Sequence, residues 1–381
     1  MARLGEIAYV VSGGTPKRSE PSYFGGDIPW VKIGDMLQGI VASTEESITK
    51  AGLARSSAKL LPAGTLLLSI FATIGRTAVL GVEAATNQAI AGLVIKDVST
   101  VDLNYLRRYL EFSSEELANQ GRGVAQANIN LSILRSHGVP LPAIGEQRRI
   151  AAVLDSAEAL RAKRRRALAK LDALTQAIFI DMFGDPVANP KGWPVDSLAT
   201  LGDLNRGISR HRPRNDPVLL GGDWPLIQTG DVAGSGGYIT EFTTTYSDVG
   251  LAQSKIWPVG TLCITIAANI AKTGILTFEA CFPDSVVGFT AGFDGASEYV
   301  RCFLRFLQPV LEMQAPESAQ KNINLKTLRD LQVPIPPEES MVKFAARVGE
   351  VNALSRRASR QQSGLDTLFA SLQQRAFRGE L

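Results

Sequence analysis

The chain has 381 residues, 45% hydrophobic and 20% charged, with 40 Lys and Arg against 37 Asp and Glu for a formal net charge of +3. That length suits two domains of ordinary size, each with its own core, and 35 Gly and 19 Pro mark a turn-rich globular protein rather than a disordered or fibrous one. No apolar run approaches the ~20 residues of a membrane span, and "MARLGEIAYVVSGG" lacks a signal-peptide pattern, so a cytoplasmic protein is expected.

Along the chain, "GGDIPWVKIGD" at 25 to 35 comes first, and it returns as "GGDWPLIQTGD" at 221 to 231. Gly, Asp and one Pro are kept, while Trp30 becomes Leu226, Lys32 becomes Gln228 and Ile33 becomes Thr229. The kept residues read as scaffold for a strand and its turns, with Asp35 and Asp231 as turn or strand-end caps. At the same offset "LLPAGTLLLSIFATIGRTAVL" (60 to 80) lies over "IWPVGTLCITIAANIAKTGIL" (256 to 276), identical at nine of twenty-one positions. Further on, "AQANINLSILRSHGVPLP" (125 to 142) lies over "AQKNINLKTLRDLQVPIP" (319 to 336). The chain is a tandem duplication, and its period far exceeds the roughly 20–50 residues of a solenoid unit, so each copy is expected to be a folded domain.

Within each copy, short apolar runs such as "IPWVKI", "GTLLLSI" and "TAVLGV", broken by Gly, Pro and Asp, predict strands joined by tight turns. A helix is expected over about 103 to 119 and again over 298 to 314. "VPLP" and "VPIP" then hold the chain extended and end the globular part. After each comes a long helical pattern. Ile150, Val153, Ala157, Leu160, Ala167, Leu171, Leu174 and Ile178 form a heptad seam interrupted by Arg164, and Phe344, Val351, Leu354, Ala358, Leu365, Leu368 and Leu372 form the second. About 40 residues of helix span roughly 60 Å, longer than a domain core needs, and the economical partner for each seam is the other helix, antiparallel; an intermolecular coiled coil is the competing arrangement. Between 148 and 170 the first helix carries eight basic residues against Asp155 and Glu158.

Catalytic chemistry is hard to place. His137 and His211 fall at unrelated points of the two copies, and Cys263, Cys281 and Cys302 have no CxxC spacing, which makes them core thiols rather than metal ligands or a disulfide framework. No phosphate-cradling GxxxxGK[ST], HExxH or GxSxG string is present, so no catalytic residue, metal or cofactor is assigned and the chain reads as a binder. Two similar domains on a stiff spacer suit a target with two separated sub-sites, and duplex DNA repeats its major groove every ~34 Å. Basic and amide side chains in the loops are the candidate DNA contacts: Lys17, Arg18, Lys32, Arg55, Lys59, Arg76 and Arg122 in the first copy, and Arg206, Arg210, Arg212, Arg214, Gln228, Lys255 and Lys272 in the second. "RGISRHRPR" (206 to 214), with four arginines in nine turn-prone residues, is the densest of them.

Together, "GGTP…YFGGDIPWVKIGD", "NINLSILRSHGVPLPAIGEQRRIAAVLD", "FGDPVANPKGWP" (184 to 194) and the final "LQQRAFRGEL" resemble the DNA-specificity subunits of Type I restriction-modification systems over essentially the whole chain. The resemblance implies an α/β (α+β) fold with two pseudo-symmetric target-recognition domains separated by a long antiparallel two-helix coiled-coil spacer. It places target-recognition domain 1 at 1–142, a central spacer helix at 143–184, domain 2 at 185–337 and a C-terminal spacer helix at 338–381. Each domain would read half of a bipartite asymmetric double-stranded DNA site, without catalysis. The helices would set the spacing and dock two methyltransferase subunits, with restriction and translocase subunits joining; the S-adenosylmethionine and ATP sites would belong to those partners. A stand-alone bipartite DNA-binding regulator and a protein-binding scaffold are the alternatives. One departure is "PPEESMVKF" where the first copy has "PAIGEQRRI", from which a less typical start of the second spacer helix is expected.

Overall fold

The repeated strings fold alike in the two copies for reasons each string carries. In the computed structural model, which describes residues 1–71, 73–120, 129–267, 270–314 and 323–381, Gly25 and Gly221 adopt left-handed backbone (φ 76° and 85°). A Cβ on the next glycine, Gly26 or Gly222, would lie 2.6 or 2.5 Å from the carbonyl oxygen of Ile48 or Tyr246 on the neighbouring strand. The doubled glycine therefore makes the bulge between Phe24 and Ile28, and between Leu220 and Trp224, where register shifts. In "PxGT" the threonine hydroxyl closes the turn on the proline carbonyl, Thr65 to Pro62 at 2.7 Å and Thr261 to Pro258 at 2.8 Å. In "NIN" the last Asn caps a short helix, Asn130 accepting from the Ile133 N–H and Asn324 from that of Thr327.

The chain divides into two compact units, Met1–Arg164 with Gln361–Leu381, and Arg165–Arg360. The first contains β1 (Ala8–Ser12), β2 (Phe24–Val31), β3 (Ile40–Val41), β4 (Glu46–Ile48), β5 (Leu66–Ser69), β6 (Thr77–Leu80) and β7 (Ile90–Ile95). Its main sheet has the order β1-β7-β5-β6-β3, antiparallel except for the parallel β3–β6 edge, while β2 and β4 belong to a smaller sheet. Leu66, Leu67 and Leu68 are all fully buried, because Leu66 and Leu68 enter one hydrophobic cluster and Leu67 another on the opposite face. The second unit repeats this with β8 (Gly202–Arg206), β9 (Leu220–Leu226), β10 (Tyr238–Ile239), β11 (Thr244–Tyr246), β12 (Leu262–Thr265), β13 (Thr273–Leu276) and β14 (Val286–Ala291). The order is β8-β14-β12-β13-β10, again with one parallel edge. All three cysteines are buried and free.

The helix expected over 103 to 119 is two, α1 (Leu103–Phe112) and Ser114–Gln120. They part at buried Ser113, whose hydroxyl meets His137 Nε2 at 3.1 Å. The long helices are α2 (Ile144–Phe183) and α4 (Glu338–Arg378), and α3 (Ala296–Gln314) is the second copy's counterpart of α1. Despite its different string, α4 starts at the position equivalent to the start of α2. What differs is the joint. In unit 1, fully buried Gln147 accepts from the Asp102 N–H (2.9 Å) and donates to the carbonyls of Thr100 and Pro142 (2.8 and 2.9 Å). Its counterpart in unit 2, Met341, is packed into the apolar core.

Each unit holds part of both long helices, so the spacer regions expected at 143–184 and 338–381 are shared between units by compactness. In unit 1, Arg149 donates to the Leu381 carbonyl (2.8 Å) and Arg161 to Asp366 (2.6 Å); one index falls as the other rises, so these segments run antiparallel. The heptad seams read in the sequence are buried in part, at Ile150, Phe344, Val351 and Ala358, and elsewhere the buried side departs from them. Leu160, Leu174, Leu354 and Leu368 are 53%, 43%, 55% and 52% exposed, while Leu154, Thr175, Phe179, Val348 and Phe369 are buried. Aromatic residues that face the domains pull the helices round: Phe179 stacks on Tyr299 at 5.4 Å, and Phe377 meets Tyr105, Tyr109 and Phe112. Among the described residues no helix is long and apolar enough to cross a membrane.

Candidate nucleic-acid interface

In unit 1 the loop cations are met by carboxylates. Trp30, on β2, is almost fully buried and its indole N–H donates to the Gly14 carbonyl at 3.0 Å, which fixes a platform with Phe24, 6.0 Å away edge-on. The Arg18 guanidinium lies over both rings, 4.7 Å from Phe24 and 4.9 Å from Trp30, and pairs with Glu46 at 2.7 Å. Lys32 Nζ bridges Glu45 (2.7 Å) and Glu46 (2.8 Å). Two cations and two carboxylates alternate, so the cluster is locally neutral. Glu45 and Glu46 raise the Lys32 pKa, and Arg18, then Lys32, hold the Glu46 carboxyl below the usual carboxylate value. Asp35 accepts from the Lys32 and Glu45 N–H groups (2.7 and 3.1 Å), and Asp231 accepts from the Gln228 N–H (2.8 Å), the capping role expected of both.

In unit 2 three arginines of the 206–214 run converge on one residue. Arg206 donates to the Asp284 carbonyl at 2.7 Å, while Arg212 (3.3 Å) and Arg214 reach its two carboxylate oxygens. The loop backbone is pinned by Gln253, whose side-chain oxygen accepts from the Arg210 and His211 N–H groups. His211 pairs with Asp216 at 3.1 Å, and the Val218 N–H, with His211 next, lowers the Asp216 pKa. Lys255 sits over buried Trp257, 4.2 Å from the ring centroid, and Trp257 in turn stacks on Phe282 at 4.6 Å. Arg214, Asn215, Gln228, Thr229, Tyr246 and Ser285 are among the residues around a cavity of ≈ 240 Å³, with Gln228 exposed.

The structure thus joins Arg18 with Lys32, gathers Arg206, Arg212 and Arg214, and brings Arg214 and Gln228 to one cavity. Lys17, Arg55, Lys59 and Arg210 are exposed. Arg76 and Lys272 stand apart from these loops, each at the turn before an equivalent strand, β6 or β13; Arg122 lies outside the described residues. Sequence reading missed Glu45, Glu46 and Asp284, the carboxylates that organise these cations, because each lies on another loop or strand. Among the described residues no group of three or more His, Cys, Asp or Glu is placed to hold a metal ion.

Fold and loops together define a duplicated α/β binding protein whose two copies share a scaffold and differ in their polar loops. The Type I restriction modification DNA specificity domain family matches residues 1–170 and again 190–357, and the chain belongs to that family, carrying its domain twice. It is 22% identical over 370 residues to the Type I restriction enzyme MjaIX specificity subunit of Methanocaldococcus jannaschii, covering 91% of this chain and 85% of that one. It is 29% identical over 164 residues to the EcoR124I/EcoR124II specificity subunit of Escherichia coli, covering 41% and 40%. Among solved structures, the fold matches the Type I restriction-modification S subunit from M. genitalium with a TM-score of 0.59 at 14% identity, over 98% of this chain and 95% of that one. A chain from a study of complex assembly and conformational transition in the type I R-M system matches with a TM-score of 0.59 at 19% identity, over 100% and 97%.

Proposed function

We propose that this specificity subunit is the non-catalytic DNA reader of a cytoplasmic Type I restriction-modification complex, each recognition domain (1–142 and 185–337) contacting one half of a bipartite asymmetric duplex site. The observation that carries the reading is the pairing of a kept scaffold with changed loop chemistry. Doubled glycines, "PxGT" turns and "NIN" caps recur, while the position equivalent to neutralised Lys32 is the exposed amide of Gln228, beside an arginine-rich loop. An amide or guanidinium pairs with purine edges in the major groove, and cations off the groove hold phosphates. The contacts assigned to DNA are Arg18, Lys32, Arg206, Arg212, Arg214, Gln228, Lys255 and Lys272, with exposed Lys17, Arg55, Lys59 and Arg210, together with Arg76 and Arg122.

The helical segments 143–184 and 338–381 serve as spacer and as the dock for two methyltransferase subunits, to which restriction subunits add. Support comes from the exposed leucines: unit 1 presents Leu160 and Leu368, unit 2 presents Leu354 and Leu174, and these are equivalent pairs in the duplicated sequence. Like exposed leucines at equivalent places suit two copies of one partner. Mapping methylated bases in a host that carries the complex tests the reading, with a split motif as the expected result; a continuous motif, or none, overturns it. A variant with residues 1–142 exchanged for another family domain should change one half of the motif only.

A further inference from the structure

A cavity of ≈ 220 Å³ in unit 2, away from the arginine-rich loop, is lined by Asp172, Gly237, Lys272, Arg301, Arg305 and Gln308 among others. Arg301 is the buried member, its side chain only 5% exposed. Its Nε pairs with Glu298 at 2.9 Å, its guanidinium lies 5.3 Å from the Tyr238 ring, and its Nη1 would be 2.5 Å from a Cβ on Gly237, a left-handed glycine (φ 108°). The Nη groups of Arg301 meet no acceptor among the described residues. Asp172, the carboxylate of the lining, is already held by Arg305 through two bonds of 2.8 and 2.6 Å. Lys272 has one neutral acceptor, Gln308, at 3.3 Å, a long bond for an ammonium. The cavity therefore has cationic donors to spare.

The same two cations recur in unit 1. Tyr105 and Tyr299 fix the register, each hydroxyl donating to the carbonyl of the proline before the long helix, Pro140 at 2.8 Å and Pro334 at 2.6 Å. In that register Arg107 answers Arg301; by the overlay of 60 to 80 on 256 to 276, Arg76 answers Lys272, each just before its equivalent strand, β6 or β13; and left-handed Gly39 (φ 77°), just before edge strand β3, answers Gly237, just before edge strand β10, with Arg107 Nη1 at 3.9 Å from its would-be Cβ. The Nε groups of Arg76 and Arg107 are both buried with no hydrogen-bond partner. A buried donor left unpaired costs about 1–3 kcal/mol, and here that cost falls at the site whose charge both copies keep. Neighbouring positions changed freely: Glu111 in unit 1 is Arg305 in unit 2, and Asp155 takes the ion pairs of Arg107 and Arg108 in unit 1 that Asp172 makes with Arg305 in unit 2.

We propose that Lys272 with Arg301, and Arg76 with Arg107, are two equivalent phosphate seats, one in each recognition unit, that grip the sugar–phosphate backbone of the duplex. The inference rests on the DNA-reading function proposed above. Two half-sites of different sequence have the backbone in common, so residues kept in charge and place through the duplication match the common feature, and diverged loop residues match the bases.

The test uses the full chain in the complex that purifies from its host and measures equilibrium binding to a duplex carrying the methylated motif over a salt series. Lys272→Gln and Arg76→Gln should each lower the slope of log K against log salt by about 0.9, the value for one phosphate left unneutralised, and the double variant by about twice that. The methylated motif should stay the same, and Lys272→Arg should restore the parent slope. An unchanged slope in Lys272→Gln, an altered motif, or loss of a co-purifying subunit without a slope change overturns the phosphate seats and leaves DNA reading intact. A parent complex that binds no duplex overturns the DNA-reading function itself.

Discussion

The two units reach one architecture through different chemistry at the joint where domain meets long helix. Unit 1 closes it with Gln147, which links Asp102, Thr100 and Pro142 by three hydrogen bonds; unit 2 closes it with Met341 in a core that includes Phe179, Phe183 and Phe344. A nearby position differs in the same sense, with buried His137 in unit 1 where unit 2 has Leu331. A hydrogen-bonded joint is directional and fails when one partner goes, whereas an apolar joint loses stability in proportion to the volume removed. The recognition loops show a further contrast: unit 1 balances its cations within a four-residue cluster, and unit 2 crowds three arginines on Asp284.

The largest effect separating the units should come from the joints. Met341→Ala is expected to destabilise unit 2 by about 2–5 kcal/mol and Gln147→Ala to destabilise unit 1 by about 1–3 kcal/mol, each read unit by unit from amide hydrogen exchange in denaturant. Protection lost in both units from either change would break the comparison.

Next in size is the pH response of His137. Burial lowers its pKa below 6.5, so the folded unit favours the neutral ring. The stability this brings is present above pH 6.5 and is lost as pH falls through the lowered folded value. Unit 1 should therefore weaken relative to unit 2 on acidification below pH 6.5, and His137→Leu should remove the difference; equal weakening of both units in the parent would count against it.

Smaller effects are expected from the loops. Asp284→Asn frees Arg212 and Arg214 and should steepen the salt dependence of duplex binding by up to about 0.9 for each further phosphate that these arginines then neutralise, at a stability cost of about 0–1 kcal/mol. Glu46→Gln should act similarly through Arg18 and Lys32. If neither changes the salt slope, those carboxylates do not restrain DNA contacts. Least of all, Glu46 loses its pairing as pH falls through a carboxyl pKa held below 4.5, so the acid sensitivity of β4 should decline slightly in Glu46→Gln, as followed by exchange of its amides below pH 4.5.

Much of this was legible in the sequence because the duplication is. Strings that do a local job, the doubled glycine, the "PxGT" turn and the Asn cap, stay alike in both copies and fold as their chemistry requires. The long helices were equally plain. Their buried face was legible only in part: Ile150, Phe344, Val351 and Ala358 of the seams are buried, but a three-four repeat locates an apolar stripe only to within a residue, and Phe179 and Phe369 are buried while Leu160 and Leu354 are exposed. Arg18, Lys32, Arg212 and Arg214 were visible as basic, but their carboxylate partners come from up to 72 positions away, in Arg212 to Asp284, and no local pattern announces them. Arg301 was hidden by its place in an amphipathic helix; its match to Arg107 was the signal available.

Each unit is assembled from the leading part of one long helix and the trailing part of the other, with Phe377 closing the first and Phe183 the second. A polypeptide of residues 1–183 would therefore carry the first domain without the 361–381 segment that packs Phe377 against Tyr105, Tyr109 and Phe112. Neither copy of the duplicated sequence is a complete folding unit by itself, because each lends the end of its helix to the core of the other.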